Sequence, residues 1–258
     1  MESTTAGDAL VRAILNDPDA DEPRLVYADW LLERGELRGE LIAMQCELYR
    51  LKPPSSVPEL LRKKTQAWFH SHGNWANFSG KPQLLERRIQ ALLDGHGRRW
   101  IEALLPNRHG IGRAFERGFV AGVALDAEDL VAQFDAMFDA HPIRVLHVRR
   151  ANGALARAVF ANARVAKLRA LCIQRPVPEV VVRELATCPR LDDLRELDLS
   201  RIRPTIGTVQ HLIATDRLRS LETLRFVGNM GTKPFELHEP LLLDRLMRRW
   251  GKRLVLDD

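Results

Sequence analysis

Three cysteines in 258 residues are too few and too scattered to staple a fold. Cys46, Cys172 and Cys188 are odd in number and far apart, which points to reduced thiols in a cytoplasmic setting and excludes a disulfide framework. No apolar run approaches the roughly 20 residues that cross a bilayer, so no membrane-spanning helix is expected. Met1–Asp8 has neither a basic stretch nor an apolar core, so a secretory signal is not expected there. Catalytic constellations are equally scarce. His70-Ser71-His72 has no Cys or carboxylate cluster nearby to complete a metal set. Arg108–Arg113 is a basic glycine turn without the preceding strand and following helix of a phosphate loop, and reads as a surface loop leading into a strand. Cys172 and His147 fall on one expected face, but no third group is there to orient the imidazole. The chain is therefore expected to be no enzyme, with no metal and no cofactor.

What is abundant is leucine at fixed spacing. Leu194–Leu199 (LRELDL) has the form L-x-x-L-x-L, shared by Leu168–Ile173 and Leu221–Phe226. Ile143–Val148 and Val120–Leu125 fit with β-branched substitutes, and Gly251–Leu256 fits at its last two apolar positions. The fourth-position residues are Val123, Leu146, Leu171, Leu197, Leu224 and Leu254, at intervals of 23, 25, 26, 27 and 30. That period is the leucine-rich-repeat length of roughly 20–29 residues. Helical stretches follow the strands at Asp129–Ala140, Ala154–Val165, Glu179–Thr187, Ile206–Thr215 and Glu239–Trp250. The expected fold is α/β. An all-helical N-terminal module precedes a short leucine-rich-repeat solenoid of about six parallel strands, with helices outside.

Residues 1–50 hold 5 Lys/Arg against 11 Asp/Glu, a net −6, whereas residues 51–118 hold 12 against 5, a net +7. The basic segment is expected to meet the acidic one of its own chain; nucleic acid is the rival partner for 51–118. The first fifty residues read as three helices. Leu10, Val11, Ile14 and Leu15 stripe the first. Asp21 or Glu22 caps the second, Pro23 sits in its first turn and Gly35 ends it. Leu41, Ile42, Met44, Gln45 and Leu48 line the third. Between 55 and 118, Ser56–Glu59 opens a helix, and Gly97 is expected to close another at its C-terminus. Module, bridge and solenoid are thus placed at 1–54, 55–118 and 119–258.

Leu25-Val26-Tyr27-Ala28-Asp29-Trp30-Leu31, Glu33-Arg34-Gly35, Arg38-Gly39-Glu40 and Gln45-Cys46 together resemble the bacterial repeat-companion domain, and Phe119–Asp126 with His141-Pro142 resemble the first repeats that accompany it. The resemblance implies a small N-terminal module beside leucine-rich repeats and a non-catalytic interaction protein. It implies no catalytic residues.

In the strand register, the residue between the last two apolar sites points outward: Ala124, His147, Cys172, Asp198, Arg225 and Val255. The residue before the fourth site does the same: Gly122, Val145, Ala170, Glu196, Thr223 and Arg253. Two rows of arginine flank them. Arg144, Arg169 and Arg195 follow the first apolar site and read as structural. Arg150, Arg175 and Arg201 lie two past the last, with Arg149 beside them. Like charges in a row need compensation, from internal acids or from an acidic partner. The expected partner is another protein with an acidic surface, met by Arg149, Arg150, Arg175, Arg201, His147, Glu196, Asp198 and Arg225. The protein is expected to act as scaffold, adaptor or inhibitor.

Overall fold

The computed structural model describes residues 2–51, 81–97, 99–100, 112–174, 178–199, 205–226 and 240–256. Among these residues there are nine α-helices: α1 (Glu2–Asn16), α2 (Glu22–Leu32), α3 (Arg38–Leu51), α4 (Lys81–Leu92), α5 (Ala127–Ala140), α6 (Gly153–Ala161), α7 (Glu179–Thr187), α8 (Ile206–Ala214) and α9 (Pro240–Trp250). Seven strands form one mixed sheet in chain order: β1 (Gly112–Glu116), β2 (Phe119–Asp126), β3 (Val145–Arg149), β4 (Ala170–Ile173), β5 (Glu196–Asp198), β6 (Thr223–Arg225) and β7 (Leu254–Val255). From β3 to β7 every pairing is parallel. The chain divides into two units, Met1–Gly122 with Ala136–Pro142, and Val123–Asp135 with Ile143–Asp258. The helix expected to open at Ser56 lies outside the described residues, as does the His70-Ser71-His72 pair.

In the second unit, the leucines picked out by spacing pair directly: Leu146 with Leu171, Leu171 with Leu197, Leu197 with Leu224 and Leu224 with Leu254. The first four of these are buried. One hydrogen-bond device recurs at three successive strands. The carbonyl of Arg144 accepts from the amides of Arg169 and Ala170, that of Arg169 from Arg195 and Glu196, and that of Arg195 from Glu222 and Thr223. The helices are tied by a second device. An α-helix leaves its last carbonyls without internal donors. Cys188 donates its thiol to Phe160 O near the end of α6, the Thr215 hydroxyl donates to Ala186 O near the end of α7, and Trp250 Nε1 donates to Leu212 O near the end of α8. Asn152 and Thr205 cap α6 and α8 through their side chains. α6 stops at Ala161, earlier than expected, because Asn162 leaves helical geometry and caps a 3₁₀ turn over Ala163–Lys167.

In the first unit, Ile14, Tyr27, Ala28, Leu31, Ile42, Cys46 and Phe119 form one core. Leu41 and Met44 form a second with Leu85, Ile89 and Leu93. Gly39 lets α3 approach α2, since a Cβ there would press on Ala28 O and Leu32. The basic segment does meet the acidic one: Lys81 pairs with Glu47, Arg88 with Glu40, and Arg117 with Asp21 at 3.0 Å.

Several local expectations need correction. Residues from Gly112 form strand β1 where a loop was expected. Asp21 makes no side-chain cap on α2, because its carboxylate is taken by Arg117. Gly97 lies in a π-helical turn over Leu93–Gly97 and does not terminate a helix in the left-handed region.

β1 and β2 are joined by Arg117 and Gly118 alone, so they form an antiparallel hairpin. Both residues have positive φ, 46° and 79°, as a type I′ turn requires. An arginine in that region carries a cost of roughly 1–2 kcal/mol, so the surroundings must hold it there. Arg117 is only 5% exposed. Its guanidinium donates to Asp19 O at 2.9 Å, Pro18 O at 3.1 Å and Asp21 Oδ1 at 3.0 Å, and lies 4.5 Å from the Tyr49 ring centroid. Arg24, 2% exposed, donates to Arg117 O at 3.3 Å and Pro18 O at 2.8 Å. Arg38 donates through Nε and Nη2 to Gly118 O, and Gly118 N donates to Gln45 Oε1 at 2.6 Å. Burial and the neighbouring Arg117 lower Arg24 to about 10, and burial lowers Arg38 too. Burial acts the same way on Arg117, but its bond to Asp21 and the charge of Glu116 outweigh it, and the net shift is upward.

Two measurements check this unit. Gly118→Ala adds a Cβ that collides with Ile42 at a left-handed position, and is expected to lower unfolding free energy by about 3 kcal/mol, read from urea titration. His141 is buried at 1% exposure beside Phe119, and neither ring nitrogen has a hydrogen-bond partner among the described residues. Burial, then the charge of Arg38, lowers it to about 3 from 6.5. The unfolded chain therefore binds the extra proton first as pH falls. Stability attributable to a neutral His141 is complete above about 6.5 and is lost progressively toward about 3. His141→Phe is expected to flatten the acid limb of the stability curve between these values by up to ~1 kcal/mol per pH unit. An unchanged slope would remove His141 from the acid response.

Candidate functional site

The outward positions of the parallel strands form a ladder. His147 stands opposite Cys172, Cys172 opposite Asp198, Asp198 opposite Arg225 and Arg225 opposite Val255. Each is half-buried while the leucine before it on its strand is buried or, at β7, half-buried. That contrast follows from the two-residue period of a strand, which sends neighbours to opposite faces. With strands about 4.8 Å apart, His147 to Arg225 spans about 14 Å. The second expected row is shorter than anticipated. Glu196 and Thr223 are partly exposed, but Gly122, Val145 and Ala170 are buried, and so is Ala124 of the first row. The polar surface therefore begins at His147.

Arg149 and Arg150 share one carboxylate. Arg149 Nε lies 2.9 Å from Asp126 Oδ1 and Arg150 Nη1 lies 3.2 Å from Asp126 Oδ2. Arg150 has φ 52° and a side chain 78% exposed. The left-handed residue turns the chain off β3 and sends its guanidinium back across β2's last residue. The trio keeps one net positive charge, so an incoming carboxylate meets a site already half neutralised. Arg175 and Arg201 lie outside the described residues. The other arginine row is built into the fold. Arg144 donates to Lys167 O at 2.8 Å, Arg169 to Asp193 O at 3.3 Å, and Arg195 pairs with Glu222 at 3.6 Å.

His147 Nε2 is 3.1 Å from the amide nitrogen of Gln174. An amide nitrogen donates, so Nε2 is the acceptor in this contact. Gln174 was not singled out from sequence, nor was Asp126. Both carry a readable signal: each follows the last apolar site of its strand, as Arg149 does, so Asp126, Arg149 and Gln174 are the same position on three successive turns.

The ladder does not have the order of a cysteine-nucleophile triad. A cysteine nucleophile needs the imidazole between thiol and carboxylate. Here Cys172 lies between His147 and Asp198, and the latter two are two strand spacings apart, about 9.6 Å. Cys46 is buried, and that burial with nearby Asp21 pushes its thiol up to about 12. Among the described residues no group of three or more His, Cys, Asp or Glu is placed to hold a metal.

If the ladder is a recognition surface, its residues should matter little to folding. His147→Ala, Asp198→Ala and Arg225→Ala are each expected to change unfolding free energy by less than ~1 kcal/mol. Leu197→Ala, at a fully buried site, should cost about 3 kcal/mol. Chemical denaturation separates the two classes. Comparison of the chain with protein-family models, with curated proteins and with solved structures finds no match, so function is argued from the chemistry of this surface.

Proposed function

We propose that this chain is a non-catalytic interaction protein, a repeat-companion module ahead of a leucine-rich-repeat solenoid that docks another protein on the His147–Cys172–Asp198–Arg225 ladder. The observation that carries the reading is the continuity of that ladder. Four polar or small outward residues stand in direct register on four parallel strands, over leucines that stand in the same register. The charge alternates along it. Arg149 and Arg150 flank its β3 end, Glu196 and Asp198 occupy β5, and Arg225 lies on β6. A partner that fits presents a carboxylate toward Arg149 and Arg150 and a cation toward Glu196 and Asp198, about 10 Å away by strand spacing. The buried leucines position these groups; no step of bond making is required of them.

The cytoplasm is the setting this reading requires. It is supported by three free cysteines, two of them buried. Among the described residues no helix is long and apolar enough to cross a membrane. The rival reading, nucleic acid at 51–118, loses Lys81, Arg88 and Arg117 to carboxylates of the same chain.

Affinity capture from the native host compares the parent with Arg150→Glu, Asp198→Lys, Arg225→Glu combined. A protein captured by the parent and lost with the variant, at equal Tm, is the expected result. Equal capture by both would place the interaction elsewhere. A low-salt gel shift with RNA or DNA that vanishes as salt rises would favour the rival.

A further inference from the structure

The N-terminal segment holds both main-chain groups of Gly118, the carbonyl and guanidinium of Arg117 and the ring of Phe119, and this points to a second binding site unrelated to the strand ladder. The tripeptide is Arg117-Gly118-Phe119, on the first hairpin. Its backbone is recognised as such: Arg24 holds the carbonyl of residue 117, Arg38 holds the carbonyl of 118 with two donors, and Gln45 accepts the amide of 118. The missing side chain at 118 is recognised by Ile42, which occupies the space a Cβ would need. The Arg117 guanidinium is received by Pro18 O, Asp19 O and Asp21. The aromatic ring of Phe119 meets Tyr27 at 5.8 Å and His141 at 6.4 Å, with Arg24 and Arg38 over it at 5.2 and 4.8 Å.

Ordinary core packing matches side chains to side chains. Here side chains from α2 and α3 are spent on the main chain of a turn, which is how a protein binds a peptide of defined conformation. Positive φ at both turn residues makes that conformation rare, and therefore selective. Tyr27, Arg38 and Gln45 all belong to the sequence motif of the module.

We infer that α1–α3 form a receptor for a type I′ turn bearing Arg-Gly-aromatic, filled in this chain by its own residues 117–119 and able to hold such a turn on a separate polypeptide once its own is withdrawn. The chain's own turn acts as a tethered competitor, because covalent linkage keeps its effective concentration high. A separate turn therefore binds the parent protein weakly.

The probe is a backbone-cyclised peptide that presents Glu-Arg-Gly-Phe-Val, the sequence of residues 116–120, in a two-residue turn. The host is the full-length chain with Arg117→Ala and Phe119→Ala, which strips two side chains from the internal ligand, so that its turn competes less well, and leaves the receptor side chains. Calorimetry should show the peptide binding this host at least tenfold more tightly than the parent. Gln45→Leu in the host should weaken binding at least tenfold, and a Gly118→Ala peptide should not bind. A host that keeps the parent's far-UV circular dichroism yet binds neither peptide, or both alike, overturns the inference. If the host loses its helical signature, the parent protein decides. Saturating glycine peptide should speed deuterium exchange at the Gly118 amide by displacing the turn, and the alanine peptide should not. Equal exchange rates with the two peptides overturn the inference.

Discussion

A guanidinium taken out of water must be repaid in hydrogen bonds and counter-charge, and the first unit of this protein takes in three. Arg24 and Arg117 are almost wholly buried, and burial acts on Arg38 strongly enough to lower it. Two carboxylates stand against Arg117, Asp21 at 3.0 Å and Glu116 at 3.7 Å. The rest of the compensation is backbone: the carbonyls of Pro18, Asp19, Arg117 and Gly118. Carbonyls outside helices and strands are the readiest to serve this way. The break between α1 and α2 and the two-residue hairpin turn supply them. The loop geometry at 17–21 and at 117–118 is thus fixed by where cations need acceptors. Replacing one arginine leaves acceptors without donors and the next cation with fewer partners, so these residues should act as a unit.

The second unit rests on a different economy. There, apolar positions in register do the holding and polar positions in register are left over. Leucine paired with leucine across four strand pairings obliges the intervening residues to pair with one another too. An outward ladder follows from an inward one. What sets this ladder apart is its composition, with imidazole, thiol, carboxylate and guanidinium following one another, and Asp126 restraining the two arginines at one end.

How much of this was legible in sequence depended on range. The leucine period placed the paired strand positions to the residue, because a spacing of roughly one repeat survives any error in helix ends. α7 was placed at both ends and α6 was overextended, since Asn162 can end a helix or continue it and only its bond to the following turn decides. The ladder residues followed from strand parity alone. Burial of Val145 and Ala170 did not, because parity gives the face and not whether that face meets solvent. Asp21 looked like a helix cap because caps are local. Its actual partner is 96 residues away, and no pattern within a helix reveals that. Arg117 follows the Arg108–Arg113 turn, read as a surface loop into a strand, so its burial and the hairpin around it were invisible.

A carbonyl near the end of each of three successive helices in the second unit is closed by a side chain from further along the chain: Cys188 for α6, Thr215 for α7, Trp250 for α8. Three different chemistries fill one geometric office. The bond is therefore defined by place and not by residue type, and it always points from a later turn to an earlier one. A whole strand-and-helix unit inserted here would keep the pattern, closing the helix before it and leaving its own helix to the side chain after it. An insertion of one or two residues between a helix end and its closing side chain has no such neutrality.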